Sequence, residues 1–147
     1  MRRLVVALGG NALCRRGEPI TTDVMRLRVA EAASELARVC GDDDLVVTHG
    51  NGPQVGLLAI QTEVGGYPAP LDVLGAASEG MIGFLVEEAL AGRMPSREVV
   101  VLLTQVVVDR DDPAFAPLDP KSSASASSAT LAPQSYLLTR SHVHRSN

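Results

Sequence analysis

Apolar and polar positions change period several times along the chain, and each change marks an element. Residues 3–8 form a short, continuously apolar run, the kind that suits a strand of a parallel sheet covered on both faces. Thr21-Thr22-Asp23 then offers caps for a helix in which Met25, Val29, Ala33, Leu36, Ala37 and Cys40 recur at helical spacing, with Arg26, Glu31, Glu35 and Arg38 off that stripe. Gly41 ends it. Leu45–Thr48 reads as a second strand and 53–64 as a second helix, Pro53 being tolerated in its first turn. After the loop Gly65–Pro70, Asp72 opens a third helix that runs to about Gly92 on Leu74, Ala77, Met81, Phe84, Leu85 and Leu90. Gly75, Gly80 and Gly83 lower its intrinsic propensity and point to close approach of another backbone. Val99–Val108 is the last strand and the most apolar segment. The order β-α-β-α-α-β predicts an α/β layered fold with right-handed crossovers.

The pattern breaks after Phe115. Residues 121–130 are almost all Ser and Ala, too poor in apolar surface to order themselves, and Tyr136-Leu137-Leu138 is too short for a core element. Residues 1–116 are therefore expected to form the folded body and 117–147 a low-complexity, disordered tail. Such a tail has the look of a reading frame that shifted or stopped early.

Composition narrows the function. Hydrophobic residues make up 46% of the chain and aromatic residues 3%, so the core must be built from Val, Leu and Ala. A net charge of −4 leaves no basic stripe for nucleic acid. No apolar run approaches the roughly 20 residues that span a bilayer, and Met1-Arg2-Arg3 leads into too short a run for a signal peptide, so a cytoplasmic protein without membrane or nucleic-acid partners is expected. Cys14 and Cys40 lack metal-ligand or disulfide spacing, and core packing is the ordinary role for Cys40. No metal site is read from the sequence.

Two turns carry the candidate chemistry. Leu4–Leu8 runs into Gly9-Gly10-Asn11, and Leu45-Val46-Val47 into Thr48-His49-Gly50-Asn51-Gly52-Pro53-Gln54-Val55-Gly56. Glycines where a strand gives way to a helix bring bare N–H groups to a positive helix end, a ready anion site. Glycine also permits φ > 0 and lets a ligand touch the backbone. Asn51 adds an amide able to donate to an oxyanion. His49 can donate to a substrate oxygen, act as a base, or serve only to position its neighbours. Arg15 and Arg16 can reach phosphate or remain solvated; His142 and His144 belong to the tail. Two facing nests suit phosphoryl transfer, which needs aligned anions and neutralised charge more than covalent catalysis. The P-loop and dinucleotide fingerprints are both missing.

The run Val6-Ala7-Leu8-Gly9-Gly10-Asn11-Ala12 resembles the N-terminal signature of carbamate kinases, as does Thr48–Gly56. Gly80-Met81-Ile82-Gly83-Phe84 and Leu103–Phe115 are similar to further family stretches. Gly-Gly-Asn alone marks the wider amino-acid-kinase superfamily; the His-Gly-Asn-Gly-Pro-Gln and Thr-Gln-Val-Val-Val-Asp runs are more particular to carbamate kinases. The likeness covers about residues 4–116. It implies a three-layer α/β/α sandwich on a mainly parallel sheet, here incomplete, and the reversible reaction ATP + carbamate ⇌ ADP + carbamoyl phosphate with Mg²⁺, in a full-length homodimer. By position, Gly9, Gly10 and Asn11 would hold the transferring phosphoryl group, with Gly10 and Asn11 catalytic. Gly50, Asn51 and Gly52 would hold the carbamate end. The family's next segment, which supplies a lysine, is replaced here by Ala116-Pro117-Leu118-Asp119-Pro120, and Lys121 lies outside that motif. The nucleotide lobe has no counterpart. Two rivals stand beside this reading: another superfamily enzyme acting on a different carboxylate, and a non-catalytic remnant that binds small anions or dimerises.

Overall fold

A computed structural model of the chain describes residues 2–105 and the backbone of 135–141. The elements are β1 (Arg3–Leu8), a 3-10 turn at Gly10–Ala12, α1 (Thr22–Cys40), β2 (Asp44–His49), α2 (Gly52–Val64), α3 (Leu71–Arg93), β3 (Arg97–Leu102) and β4 (Ser135–Ser141).

The first helix follows its pattern closely. The Thr21 hydroxyl accepts from the Val24 N–H, capping α1, and Gly41 ends it at φ 52°, a backbone angle that suits glycine. Met25, Val29, Ala33, Leu36 and Cys40 are buried, and only Ala37 of the expected stripe is half-exposed. Cys40 packs in the core as expected; its thiol also donates to the Asp43 carbonyl at 2.9 Å, beneath the Arg97 guanidinium.

The third helix departs from expectation in which face it buries. Gly75, Ser78, Glu79, Ile82, Gly83, Val86 and Leu90 are buried along with Leu74 and Leu85, while Phe84 and Ala77 are exposed. An apolar sequence with few polar residues gives little phase information, so hydrophobicity alone places the stripe badly. Gly83 does mark a close approach, though to a side chain: a Cβ there would lie 2.5 Å from Val101 Cγ1. At Gly80 a Cβ would meet nothing within 4 Å.

β1 and β2 pair in parallel, with α1 as their crossover. The sheet order is β1-β2-β4-β3. β4 is antiparallel to both of its neighbours, so β1, β2 and β3 run one way and β4 the other. The sequence sets residues 135–141 in a tail, with Tyr136-Leu137-Leu138 too short for a core element; the backbone there is instead an interior strand. Length is a weak criterion for a segment that finds a ladder on each side, because backbone pairing needs no apolar run of its own. The third strand, β3, begins two residues earlier than the expected Val99, at Arg97, and ends at Leu102, so 103–105 fall outside it; residues 106–108 of the expected strand lie outside the described residues, as does the rest of the 117–147 segment.

The core fills the space between α1, α3 and one face of the sheet, where Leu8, Leu45 and Val47 meet Val29, Ala33, Leu36, Ile82, Val86 and Leu90. The opposite face, with Val5 and Val100, is exposed. Two of the three expected layers are thus present among the described residues. No helix among them is long and apolar enough to cross a membrane.

Candidate functional site

The register of the parallel pair decides what the two glycine turns can do together. Leu8 stands opposite His49, so Gly9-Gly10-Asn11 and Gly50-Asn51-Gly52 leave the sheet side by side, at the carboxyl ends of adjacent strands. That end of an open α/β sheet is where such folds ordinarily take ligands.

The first turn is a single 3-10 turn. The Ala12 N–H donates to the Gly9 carbonyl at 2.9 Å, and the Leu13 and Cys14 N–H groups donate to that of Gly10. Gly9, Gly10 and Asn11 are exposed, and Leu13 anchors the turn from below at 2% exposure. The N–H groups of Gly10 and Asn11 precede the first bonded donor, as at any helix start. The second turn opens the four-turn-long α2, where Pro53 contributes no N–H and the Val55 N–H closes onto the Asn51 carbonyl.

None of these turn glycines uses the left-handed region. Among the described residues positive φ occurs at Gly17, Gly41 and Gly66, and Gly9 is extended at φ −72°. The φ > 0 that glycine permits is therefore not used in either turn. What the glycines leave is space: a Cβ at Gly9, Gly10 or Gly50 would meet nothing within 4 Å. Neither the local backbone angle nor packing within the chain demands glycine at these three positions.

Asn51 is also corrected. It is fully buried, and its Nδ2 donates to Ser78 Oγ at 2.6 Å and to the Gly75 carbonyl at 3.3 Å. Ser78 Oγ spends its own proton on the Gly75 carbonyl at 2.7 Å, so it can only accept from Asn51, which fixes the orientation of the carboxamide. Both amide protons are thus directed at α3, and the side chain is not a donor to an oxyanion. It is also not an N-cap in the usual sense, since it makes no bond to the first turn of α2. It ties that turn to α3.

His49 continues the buried alternation of Leu45 and Val47, at 2% exposure, and so lies beneath the turn on the core side. Its Nδ1 is 3.2 Å from the Gly50 carbonyl; a carbonyl only accepts, so Nδ1 carries the proton and Nε2 is an acceptor. Burial lowers the imidazole pKa below its ordinary value, with the Gly50 carbonyl and the charge of Glu79 opposing the shift. A neutral ring protonated on Nδ1 does not donate from Nε2, so the role of donor to a substrate oxygen is not open to it. Among the described residues Nε2, Asn51 Oδ1 and Gln54 Oε1 are buried without a hydrogen-bond partner.

The sequence does not single out Glu79. It sits in α3 at 1% exposure, and its Oε2 accepts from the Thr104 N–H at 3.3 Å, linking α3 to the chain leaving β3. A carboxylate inside the otherwise uncharged stretch 73–86, directly after a serine, is the signal that could have found it. Arg15 is engaged elsewhere: its guanidinium meets Glu31 at 3.2 Å. Arg28 joins Glu18 and Glu31 in the same group, and its bond holds the Glu18 carboxyl below the usual range. Arg16 is exposed. Lys121, His142 and His144 lie outside the described residues. Among those described, no three His, Cys, Asp or Glu gather as metal ligands.

Comparison with known proteins supplies the relatives. No protein-family model matches the chain. It is 50% identical over 118 residues to a carbamate kinase of Haemophilus influenzae, covering 77% of this chain and 37% of that one. A carbamate kinase of Pyrococcus horikoshii is 44% identical over 123 residues, covering 77% of this chain and 39% of that one. Among solved structures, carbamate kinase from Giardia lamblia bound to AMP-PNP superposes with a TM-score of 0.61 at 36% identity, over 64% of this chain and 34% of that chain. This chain therefore spans well under half the length of these relatives.

Proposed function

Because this chain belongs with the carbamate kinases, homologous to their N-terminal portion, we propose that its two glycine turns form the carbamoyl-phosphate side of a site for ATP + carbamate ⇌ ADP + carbamoyl phosphate. The observation that carries this reading is the pairing of Leu8 with His49, which sets the two turns next to each other, with open space before Gly9, Gly10 and Gly50.

In this reading the N–H groups of Gly10 and Asn11 hold the transferring phosphoryl group, with Gly9 giving it room. The Asn11 side chain, exposed beside them, adds a donor. Gly50 and Gly52 hold the carbamate end through the backbone and the positive end of α2. Asn51 acts by fixing that turn to α3, and His49 supports it from beneath as a neutral ring. An oxygen of carbamate that is already anionic needs no base. Its attack on the γ-phosphorus, with departure of ADP, calls for alignment and charge neutralisation. Among the described residues no three His, Cys, Asp or Glu side chains gather to hold Mg²⁺; in this reading nucleotide and Mg²⁺ belong to parts of the site beyond these residues. A cytoplasmic location and a homodimer of the full-length enzyme complete the proposal.

Calorimetry separates this reading from its closest rival. The chain should bind carbamoyl phosphate weakly and N-acetylglutamate more weakly still. The reverse preference would favour a superfamily enzyme for another carboxylate. With ADP, Mg²⁺ and carbamoyl phosphate the chain should form no ATP above a heat-killed control, since loss of one dedicated charge-stabilising residue alone can cost on the order of 10³–10⁵ in rate.

A further inference from the structure

β2 and β3 run in the same direction and share no ladder; what joins them is β4, antiparallel to each. Its pairing covers Leu45 to His49 on one side and Arg97 to Leu102 on the other. Until β4 arrives, the sheet holds a slot with two unpaired strand edges facing each other. β4 follows β3 in the chain, so this slot exists in every molecule whose β1–β3 body folds before β4 docks. Two unpaired edges of this kind are templates for any extended segment of matching register.

The segment that fills the slot lies far along the chain from the strands that flank it. Residues 106–134 separate it from the end of the body, and if extended they would reach about 100 Å. Neighbouring strands lie only about 4.8 Å apart. A separation of that length does not by itself confine β4 to its own chain, because effective concentration falls as a linker lengthens. The same segment of a second copy offers the same backbone pairs, the usual basis of strand exchange.

We propose that the β2–β3 slot is a strand-binding site that accepts Ser135–Ser141 from a second copy of this chain, giving a strand-exchanged dimer. The inference is independent of what the glycine turns bind. Register makes it testable. Val100 and Val46 both stand opposite Leu138. In a Cys14→Ser background, with Cys40 buried, one population carries Val100→Cys and the other Leu138→Cys. After mixing at protein concentrations on the order of 0.1–1 mM and mild oxidation, a disulfide-linked heterodimer should form, its yield rising with concentration. The reference is Val39→Cys on exposed α1, mixed with Leu138→Cys, which reports collision only. The in-register pair should exceed it by at least about fivefold. If Val100→Cys does not fold, Val46→Cys takes its place. A single chain carrying Val100→Cys and Leu138→Cys should lock internally when dilute. Locking there, with mixed populations no better linked than the collisional reference, would overturn exchange. No locking at all would overturn the slot itself.

Discussion

The two glycine turns are near-copies in sequence and opposites in setting. Gly9-Gly10-Asn11 stands in solvent, with its asparagine exposed and its backbone closed by local bonds to the Gly9 and Gly10 carbonyls. In Gly50-Asn51-Gly52 the asparagine is fully buried and both its amide protons are bound to α3. The same residue type is thus open to solvent in one turn and built into the packing of the other. What distinguishes them is tertiary: α3 packs over the second turn and brings Ser78 and the Gly75 carbonyl within reach, while nothing described covers the first.

The sharpest way to break this contrast is to remove the buried asparagine. Asn51→Ala leaves Ser78 Oγ without its donor and opens a small void, and should lower stability by about 1–3 kcal/mol in urea unfolding. A change within about 0.5 kcal/mol, the range of ordinary surface substitutions, would mean that Asn51 is not a structural tether. Next come the glycines. A Cβ at Gly10 or Gly50 meets nothing within 4 Å among the described residues, so Gly10→Val and Gly50→Val should leave the fold intact while filling the space before the turns. Each should weaken carbamoyl phosphate binding about tenfold or more, equivalent to about 1.4 kcal/mol. Equal affinity in either variant would remove that turn from the site.

His49 gives a smaller effect with a definite sign. Burial depresses its folded pKa below the unfolded value, so the unfolded chain binds the proton more readily. Its contribution is present in full above the unfolded pKa, near 6.5, and is lost as pH falls from there through the folded pKa. Stability should therefore drop between neutral and mildly acid pH, and His49→Gln should flatten that part of the profile. An unchanged profile would show that the ring is not held neutral by its burial. The smallest effect expected is Asn11→Ala, within about 0.5 kcal/mol in stability, because Asn11 is exposed. Any consequence should appear in anion binding alone.

The same contrast explains how much was legible in the sequence. Helix α1 was readable in extent and in all of its buried stripe but Ala37, because polar positions bracket a single apolar stripe and a threonine and a glycine mark its ends. The glycine turns were readable because glycine after an apolar strand is conspicuous. The side chains beneath them were not: Asn51, Gln54, Ser78 and Glu79 are buried polar groups whose partners lie in other elements, and no local pattern records such pairing. Helix α3 was placed correctly in extent but not in phase, since apolar residues surround it. β4 was missed for the opposite reason. Its sequence is ordinary, and its place depends on a slot made by strands far away in the chain.

The central claim is that the two turns together hold one small anion. An amide-resolved NMR titration of the full chain with carbamoyl phosphate tests it most directly. The account predicts saturable shifts at Gly9, Gly10 and Asn11 and at Gly50, Asn51 and Gly52, reporting one common affinity. Shifts confined to one turn, or gathered instead around Arg140 and Arg145, would contradict it.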